Sequence, residues 1–171
     1  ERLPNLKHGK YDPFSDVQIL TPMNKGELGT SNLNKVVQTI LNPGGGGGVK
    51  LFEHTLNRGD KVIQIKNNYE KNVFNGDIGK IIECDPKDGS AEVNFDGHRV
   101  EYTKSQLASN ISLAYAITIH KSQGSEYPVL LLIVANEHQF MLARNLVYTG
   151  ITRGRELVYV IGERNALSSA S

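Results

Sequence analysis

The residues best equipped for chemistry cluster between Ile111 and Glu126, in the run ISLAYAITIHKSQGSE. It opens apolar, turns polar at Thr118, and then sets His120, Lys121, Ser122 and Gln123 ahead of Gly124. Burying so many polar groups without partners would cost about 1 to 3 kcal/mol each, so this is not a simple core segment. Hydroxyl, imidazole and amide groups of this size hydrogen-bond phosphate and sugar, contacts that position a nucleic-acid strand without reading its sequence. The expected arrangement is a strand that delivers Thr118, His120, Ser122 and Gln123 to a cleft at its carboxyl end, where ligands bind in open α/β sheets. A lone histidine is more often a satisfied structural residue. Beside a lysine and a glutamine at a strand end, His120 reads with Thr118 as a strand contact.

A second candidate is Arg153-Gly154-Arg155, between a helical and a strand-like pattern. A guanidinium is always charged and matches phosphate oxygens in a bidentate fork, so one such arginine can stabilise charge on a transferring phosphoryl group. The bland alternative is pairing with surface carboxylates such as Glu156, because exposed charges are usually just solvated. A third group, Asn67, Asn68, Tyr69, Lys71 and Phe74, combines amides, a cation and aromatics in a composition that suits stacking and backbone contact with a single strand. Aromatics in a small barrel are more often core, and Asn75, Gly76 and Asp77 have turn-forming character in any case.

The elements that must position these groups follow from the pattern. Val17 to Leu20 is a short β-type run, and Thr30 or Ser31 can cap a helix to about Leu41 with Leu33, Val36, Val37, Ile40 and Leu41 on its apolar face. Pro43 and Gly44 to Gly48 interrupt the pattern, as a flexible surface connection or an engineered replacement for a longer loop. Lys61 to Ile65, Gly79 to Glu83, Ala91 to Phe95 and His98 to Tyr102 are short strands separated by turns at Asn75-Gly76, Pro86 to Gly89 and Asp96-Gly97, which predicts a small SH3-like barrel. An α/β pattern then resumes: a strand over Ile111 to Ile117, a central parallel strand over Val129 to Val134, a helix over Phe140 to Tyr148 and a last strand over Leu157 to Ile161. In that helix Phe140, Leu142, Leu146 and Val147 are the expected apolar positions.

Four of these segments carry a resemblance. AYAITIHKSQGSEYP resembles motif V of superfamily 1 helicases, and LVYTGITRGRE, from Leu146 to Glu156, resembles their motif VI. With QILTPMNKGELG and NNYEKNVFNGDIG, in the same order, they resemble the C-terminal part of a RecD-like superfamily 1B DNA helicase, the exodeoxyribonuclease V alpha-subunit family, over most of residues 16 to 162. The resemblance implies an α/β fold: a RecA-like parallel sheet with helices, plus an inserted SH3-like β-barrel that lies along the DNA strand. The corresponding boundaries are residues 1–42 and 108–171 for the second motor domain, 43–56 for a glycine-rich linker and 57–107 for the barrel. It implies that Arg153 touches the γ-phosphate, that Glu126 meets the ribose, and that Lys25, after Pro-Met, approaches the nucleotide phosphates. The family often has arginine at that last position, and lysine keeps the charge while losing the fork. For Glu126 the alternative is a helix-capping carboxylate. In the barrel, Asn68 and Tyr69 are the favoured DNA contacts.

The implied activity is ATP-driven 5′ to 3′ translocation on single-stranded DNA in recombination and repair. ATP and Mg²⁺ would be held mainly by a first motor domain, since G-x-x-x-x-G-K-[ST] is absent from this sequence and Glu83 with Asp85 is a poor substitute for a metal-binding carboxylate pair. Alone, the chain is expected not to hydrolyse ATP. The expected partners are single-stranded DNA, the chain's own N-terminal ATPase domain and other exonuclease V subunits. The alternatives are the helicase part of a conjugative relaxase and a non-enzymatic DNA- or protein-binding scaffold.

Composition narrows the field less. The formal charge of +1, from 19 basic and 18 acidic residues, makes any DNA contact local rather than a bulk electrostatic effect. One cysteine, Cys84, excludes an internal disulfide and suits a reducing cytoplasm. No apolar run approaches the roughly 18 residues of a membrane span. With Glu1 first and no signal segment after it, the chain is expected to be a fragment of a longer, cytoplasmic protein.

Overall fold

A computed structural model describes residues 10–44, 47–135 and 144–162. In chain order the elements are β1 (Val17–Thr21), α1 (Thr30–Leu41), β2 (Val49–Lys50), β3 (Thr55–Leu56), β4 (Lys61–Gln64), β5 (Ile78–Asp85) and β6 (Ser90–Phe95). There follow β7 (His98–Tyr102), α2 (Lys104–Asn110), β8 (Ile111–Leu113), β9 (Ala116–Thr118), a 3₁₀ turn (His120–Ser122), β10 (Tyr127–Val134), α3 (Arg144–Ile151) and β11 (Gly154–Gly162). They divide into two compact units, one formed by the chain up to Leu33 and from Ala116 onward, the other by Asn34–Tyr115.

The first unit is a parallel sheet in the order β11-β10-β1-β9. β10 lies inside it, which explains its apolar sequence: Val129, Leu130, Leu132 and Val134 are fully buried. Ahead of β1, the Tyr11 ring packs with Val17, Val129 and Leu131, and Ile19, Leu157 and Tyr159 border this cluster. The expected helix over Phe140 to Tyr148 is represented by α3, where Val147 is buried and Leu146 half-buried; Phe140 and Leu142 lie outside the described residues.

The second unit is built on a five-stranded antiparallel sheet in the order β7-β6-β5-β4-β8. A register shift between Ile81 and Glu83 marks a bulge in β5, the device by which such sheets bend. The Asp96-Gly97 turn joins β6 and β7 as expected, with Phe95 paired to His98. The expected single strand from Ile111 to Ile117 is divided between the units. Ile111–Leu113 pairs with β4 as the fifth strand of the antiparallel sheet, whereas Ala116–Thr118 pairs with β1 in the parallel one. Both halves are apolar because both sheets bury them, so hydropathy carries no mark of the change at Ala114 and Tyr115. Within 43–56, read as a linker, β2 and β3 form an antiparallel pair that buries Val49 and Leu56.

Helix α1 also departs from its expected orientation. Val36 and Ile40 are 47% and 69% exposed, while the polar stripe Asn34, Gln38 and Asn42 faces inward. Asn34 donates to Leu113 O, and Gln38 and Asn42 donate to the carboxylate of Asp60 at 2.6 and 2.7 Å. Asp60 is fully buried and also accepts from Asn57 N (2.7 Å) and the Tyr115 hydroxyl (2.8 Å). A buried carboxylate with four donors outweighs the apolar stripe in setting which face turns inward, because an unpaired buried charge costs far more than an exposed valine.

The barrel core holds two tyrosines whose ionisation is suppressed. Tyr102 donates to Gln64 Oε1 at 2.9 Å, and burial followed by the negative charge of Asp77 pushes its phenol up from 10.0 to about 12. Burial and then the bond to Asp60 push Tyr115 up as well. Raised folded-state values mean that this stabilisation is complete below the free phenol's pKa and is lost as pH rises through the folded one. The unit is therefore expected to lose stability between pH 10 and 12. Alkaline unfolding followed by tyrosinate absorbance and circular dichroism measures this, and unchanged stability across that window would contradict it.

Candidate functional site

At the carboxyl ends of two neighbouring parallel strands, Thr21 of β1 pairs with Thr118 of β9, and Ile119 N donates to Thr21 O. The polar residues of the Thr118–Gln123 segment thus emerge beside the loop that carries Lys25. That loop is closed by its own bonds: the Thr21 hydroxyl donates to Leu28 O at 2.8 Å, Thr30 Oγ1 to Asn24 Oδ1 at 2.9 Å, and Thr30 N to Met23 O at 3.1 Å. A Cβ at Gly29 would collide with the carbonyl oxygens of Lys25 and Asn24, so glycine is what lets the loop fold back there. Thr21 and Asn24 are occupied by this internal role, while Lys25 is exposed.

Beyond β9 the chain turns at once. Thr118 is buried and its hydroxyl oxygen accepts Lys121 N at 3.3 Å, which leaves its own proton to donate. His120, Lys121 and Gln123 are exposed around the 3₁₀ turn. Ser122 departs from its expected role as a strand contact. It is fully buried and its hydroxyl donates to Ile119 O at 2.6 Å, so it shapes the turn that displays its neighbours.

Glu126 and Arg153 sit at the other end of the sheet, not at the carboxyl ends where the cleft was expected. Each immediately precedes a strand, and those strands begin in register, Tyr127 opposite Gly154. Tyr127 N donates to Arg153 O at 2.8 Å, which fixes the two residues as neighbours. Leu20, just before Thr21, pairs with Leu132 near the far end of β10 from Tyr127, which separates Thr21 from that end by about 20 Å at 3.3 Å per residue. The structure thus groups Glu126 with Arg153, and separately groups Thr118 and His120 with the loop of Lys25.

The junction from α3 into β11 is tightly made. Thr152 N donates to Tyr148 O, Arg153 N to Gly150 O, and Thr152 Oγ1 to Thr149 O. A Cβ on Gly154 would run into Val158 and Leu130, which accounts for the glycine between the two arginines. Arg153 is half-buried: Nη2 donates to Thr152 Oγ1 at 3.1 Å, and Nε is buried with no acceptor among the described residues. The positive charge of Arg153 also reaches Tyr127, whose phenol burial pushes up, offset in part by a bond with Ser125 and by that charge. Glu156, the carboxylate that would have explained the arginines as ordinary ion pairs, is engaged elsewhere. It accepts from Lys10 Nζ at 2.8 Å and from the Tyr11 hydroxyl at 2.6 Å.

In the barrel unit, Asn68 and Val73 exchange backbone hydrogen bonds at 2.7 and 3.0 Å, closing a small hairpin. The amides build it: Asn68 Oδ1 accepts Lys71 N at 3.0 Å and Asn67 Oδ1 accepts Asn75 N at 2.9 Å. Lys71 donates to Glu101 O and lies 5.4 Å from the Tyr102 ring centroid, so its charge is held against the barrel. What the hairpin displays is an aromatic pair. Tyr69 and Phe74 are 77% and 40% exposed and meet edge-on with centroids 5.8 Å apart. No group of three or more metal-ligating side chains forms among the described residues, and no helix there is long and apolar enough to cross a membrane.

Both units match known families. Residues 113–161 match the UvrD-like helicase C-terminal domain, and residues 33–95 match the ATP-dependent RecD-like DNA helicase SH3 domain. Between them the matched spans cover well over half of the chain, and the class they define is the C-terminal domain of a helicase. The ATP-dependent RecD2 DNA helicase of Deinococcus radiodurans is 42% identical over 155 residues, 91% of this chain and 21% of its own length. The RecBCD enzyme subunit RecD of Haemophilus influenzae is 30% identical over 161 residues, 92% of this chain and 23% of its own length. The chain therefore belongs to the RecD-like helicases, and it spans less than a quarter of the length of these two relatives. In fold it is similar to the Pif1 helicase from Bacteroides, solved in complex with ADP-AlF3 and ssDNA, with a TM-score of 0.61 at 17% identity over 89% of this chain and 41% of the other.

Proposed function

We propose that this chain is the second motor domain of a longer RecD-like helicase that uses ATP hydrolysis to translocate 5′ to 3′ on single-stranded DNA, with the barrel inserted into it. The observation that carries this reading is the state of Arg153: half-buried, its neighbouring carboxylate already taken by Lys10 and Tyr11, and its Nε without an acceptor among the described residues. A guanidinium held in that way is suited to receive phosphate oxygens from a nucleotide bound mainly by another domain, and to stabilise charge as the phosphoryl group transfers. Glu126, its neighbour at the start of β10, is assigned to the ribose hydroxyls. Mg²⁺ is assigned to the first motor domain.

Thr118, His120 and Gln123 are assigned to phosphate and sugar of the DNA strand, with Ser122 acting only through the turn that it shapes. Lys25, exposed in the neighbouring loop, is assigned to a phosphate contact; its separation from Arg153 along the strands argues against both residues meeting the same phosphoryl oxygen. In the barrel, Tyr69 stacks on a base and Asn68 holds the hairpin that presents it. The RecD relatives are named as subunits of the RecBCD enzyme, which makes a multisubunit enzyme one setting for this motor. The reading is tested by measuring ATP hydrolysis of the full-length protein with and without single-stranded DNA. Strong stimulation by DNA is expected; no hydrolysis under either condition would favour a scaffold whose barrel binds a partner.

A further inference from the structure

The segment ahead of β1 is fastened to the same strand that Arg153 introduces. Tyr11 is buried against Val17, Val129 and Leu131, with Leu157 and Tyr159 bordering it, and its hydroxyl reaches out of this apolar seat to donate 2.6 Å to Glu156 Oε2. Lys10 donates to the same oxygen at 2.8 Å, and its ammonium lies 4.9 Å from the Tyr11 ring centroid. The hairpin-like turn behind them is held by Asp12 and Asp16, with Asp16 N donating to Asp12 O and Asp12 N to Asp16 Oδ2. Asp16 O then accepts Val129 N, so the strap is joined to β10 as well as to β11.

Glu156 lies three residues after Arg153, on the opposite side of Gly154. The arginine backbone is thus held from both directions: by α3 through Gly150, and by β11 through the Glu156 anchor. We propose that Tyr11, acting through Glu156 with Lys10 in support, is a positioning residue that fixes the α3–β11 junction and so the reach of Arg153. The proposal rests on the reading of Arg153 as a phosphoryl contact. A hydroxyl-to-carboxylate bond of this length is among the stronger kinds, and its donor is immobilised by packing, so it can transmit position where a solvated lysine alone would not. Misplacement of a catalytic group by about 1 Å is enough to cost up to about 10²-fold in rate.

The test is a double-mutant cycle in the full-length protein, using Tyr11→Phe, Arg153→Ala and the pair, with kcat and KM for ATP measured at saturating single-stranded DNA. Tyr11→Phe keeps the ring in its apolar seat and removes the hydroxyl, with its bond to Glu156 and the one it accepts from Lys10. It is expected to lower kcat about tenfold with KM unchanged, and to have no further effect once Arg153 is alanine. A tenfold loss of the same size in both backgrounds would show a merely structural role and overturn the proposal, as would an unchanged kcat in the Tyr11→Phe single variant. An unchanged rate for Arg153→Ala itself would instead overturn the phosphoryl reading on which the proposal stands. Glu156→Ala provides an independent route to the same answer, since it removes the acceptor and leaves the Tyr11 packing in place.

Discussion

Replacing Arg153 by alanine in the full-length protein is expected to lower DNA-stimulated ATP hydrolysis by about 10³-fold or more while leaving affinity for single-stranded DNA unchanged. That is the scale on which an arginine contact to the transferring phosphoryl group acts. The contact strengthens as charge develops on the phosphoryl oxygens, so the loss falls on kcat and only slightly on KM for ATP. Arg153→Lys should restore little, because an ammonium keeps the charge but lacks the planar fork. Arg155→Ala provides the contrast: this arginine is exposed at the start of β11, and its removal is expected to change the rate by no more than a few-fold. Equal losses at the two positions would point to general electrostatics, and no loss at either would make both arginines structural.

The second large effect is on stability. Asp60→Ala is expected to destabilise the barrel unit by about 3 to 5 kcal/mol, the range found when one partner of a buried charged network is removed. Four donors converge on this carboxylate, from Gln38, Asn42, Asn57 N and Tyr115. Alanine removes the acceptor they share, although Gln38 and Asn42 each keep a second one, Thr55 O and Arg58 O. Against a typical domain stability of about 5 to 15 kcal/mol, such a loss brings the unit close to unfolding at ordinary temperature. Asp60→Asn is nearly isosteric yet turns one acceptor into a donor facing other donors, so it should cost nearly as much. Urea unfolding of the chain measures both, and a change below about 1 kcal/mol for the alanine variant would mean that the network reorganises around water.

Asp60 also illustrates what was hidden in the sequence. Asn34, Gln38 and Asn42 recur every four residues, as legible a helical stripe as Leu33, Val37 and Leu41, but polar stripes are ordinarily read as solvent-facing. Only the buried carboxylate, 18 residues beyond Asn42, reverses that reading, and nothing local announces it. Helix α2 was visible in principle: Thr103 and Gln106 form a capping box, with Gln106 N donating to Thr103 Oγ1 and Thr103 N to Gln106 Oε1. β8 was not visible as a barrel strand, because an apolar run records burial and not which sheet provides it. The central strand β10 and the hairpins of the antiparallel sheet were legible, since there the local pattern and the tertiary demand agree.

The candidate site divides in the same way. The residue types were readable from their chemistry, but their grouping depends on strand register. Glu126 and Arg153 are 27 positions apart in sequence and become neighbours because β10 and β11 start opposite one another. Ser122 belonged by type with its exposed neighbours and is removed from them by one hydrogen bond to Ile119 O. The anchoring of Glu156 by Tyr11 spans 145 positions and has no sequence signal beyond the presence of a tyrosine ahead of β1.

The most direct measurement of the central claim is trapping of ADP with aluminium fluoride on the full-length protein in the presence of single-stranded DNA, comparing wild type with Arg153→Ala. The trapped species mimics the phosphoryl group in transfer, so an arginine that acts at that stage should be needed for it and not for ADP alone. The account predicts that both proteins bind ADP equally and that only the wild type retains the fluoroaluminate complex. Equal retention by the alanine variant would contradict the assignment of Arg153, and with it the reading of this chain as the half of the motor that completes the nucleotide site.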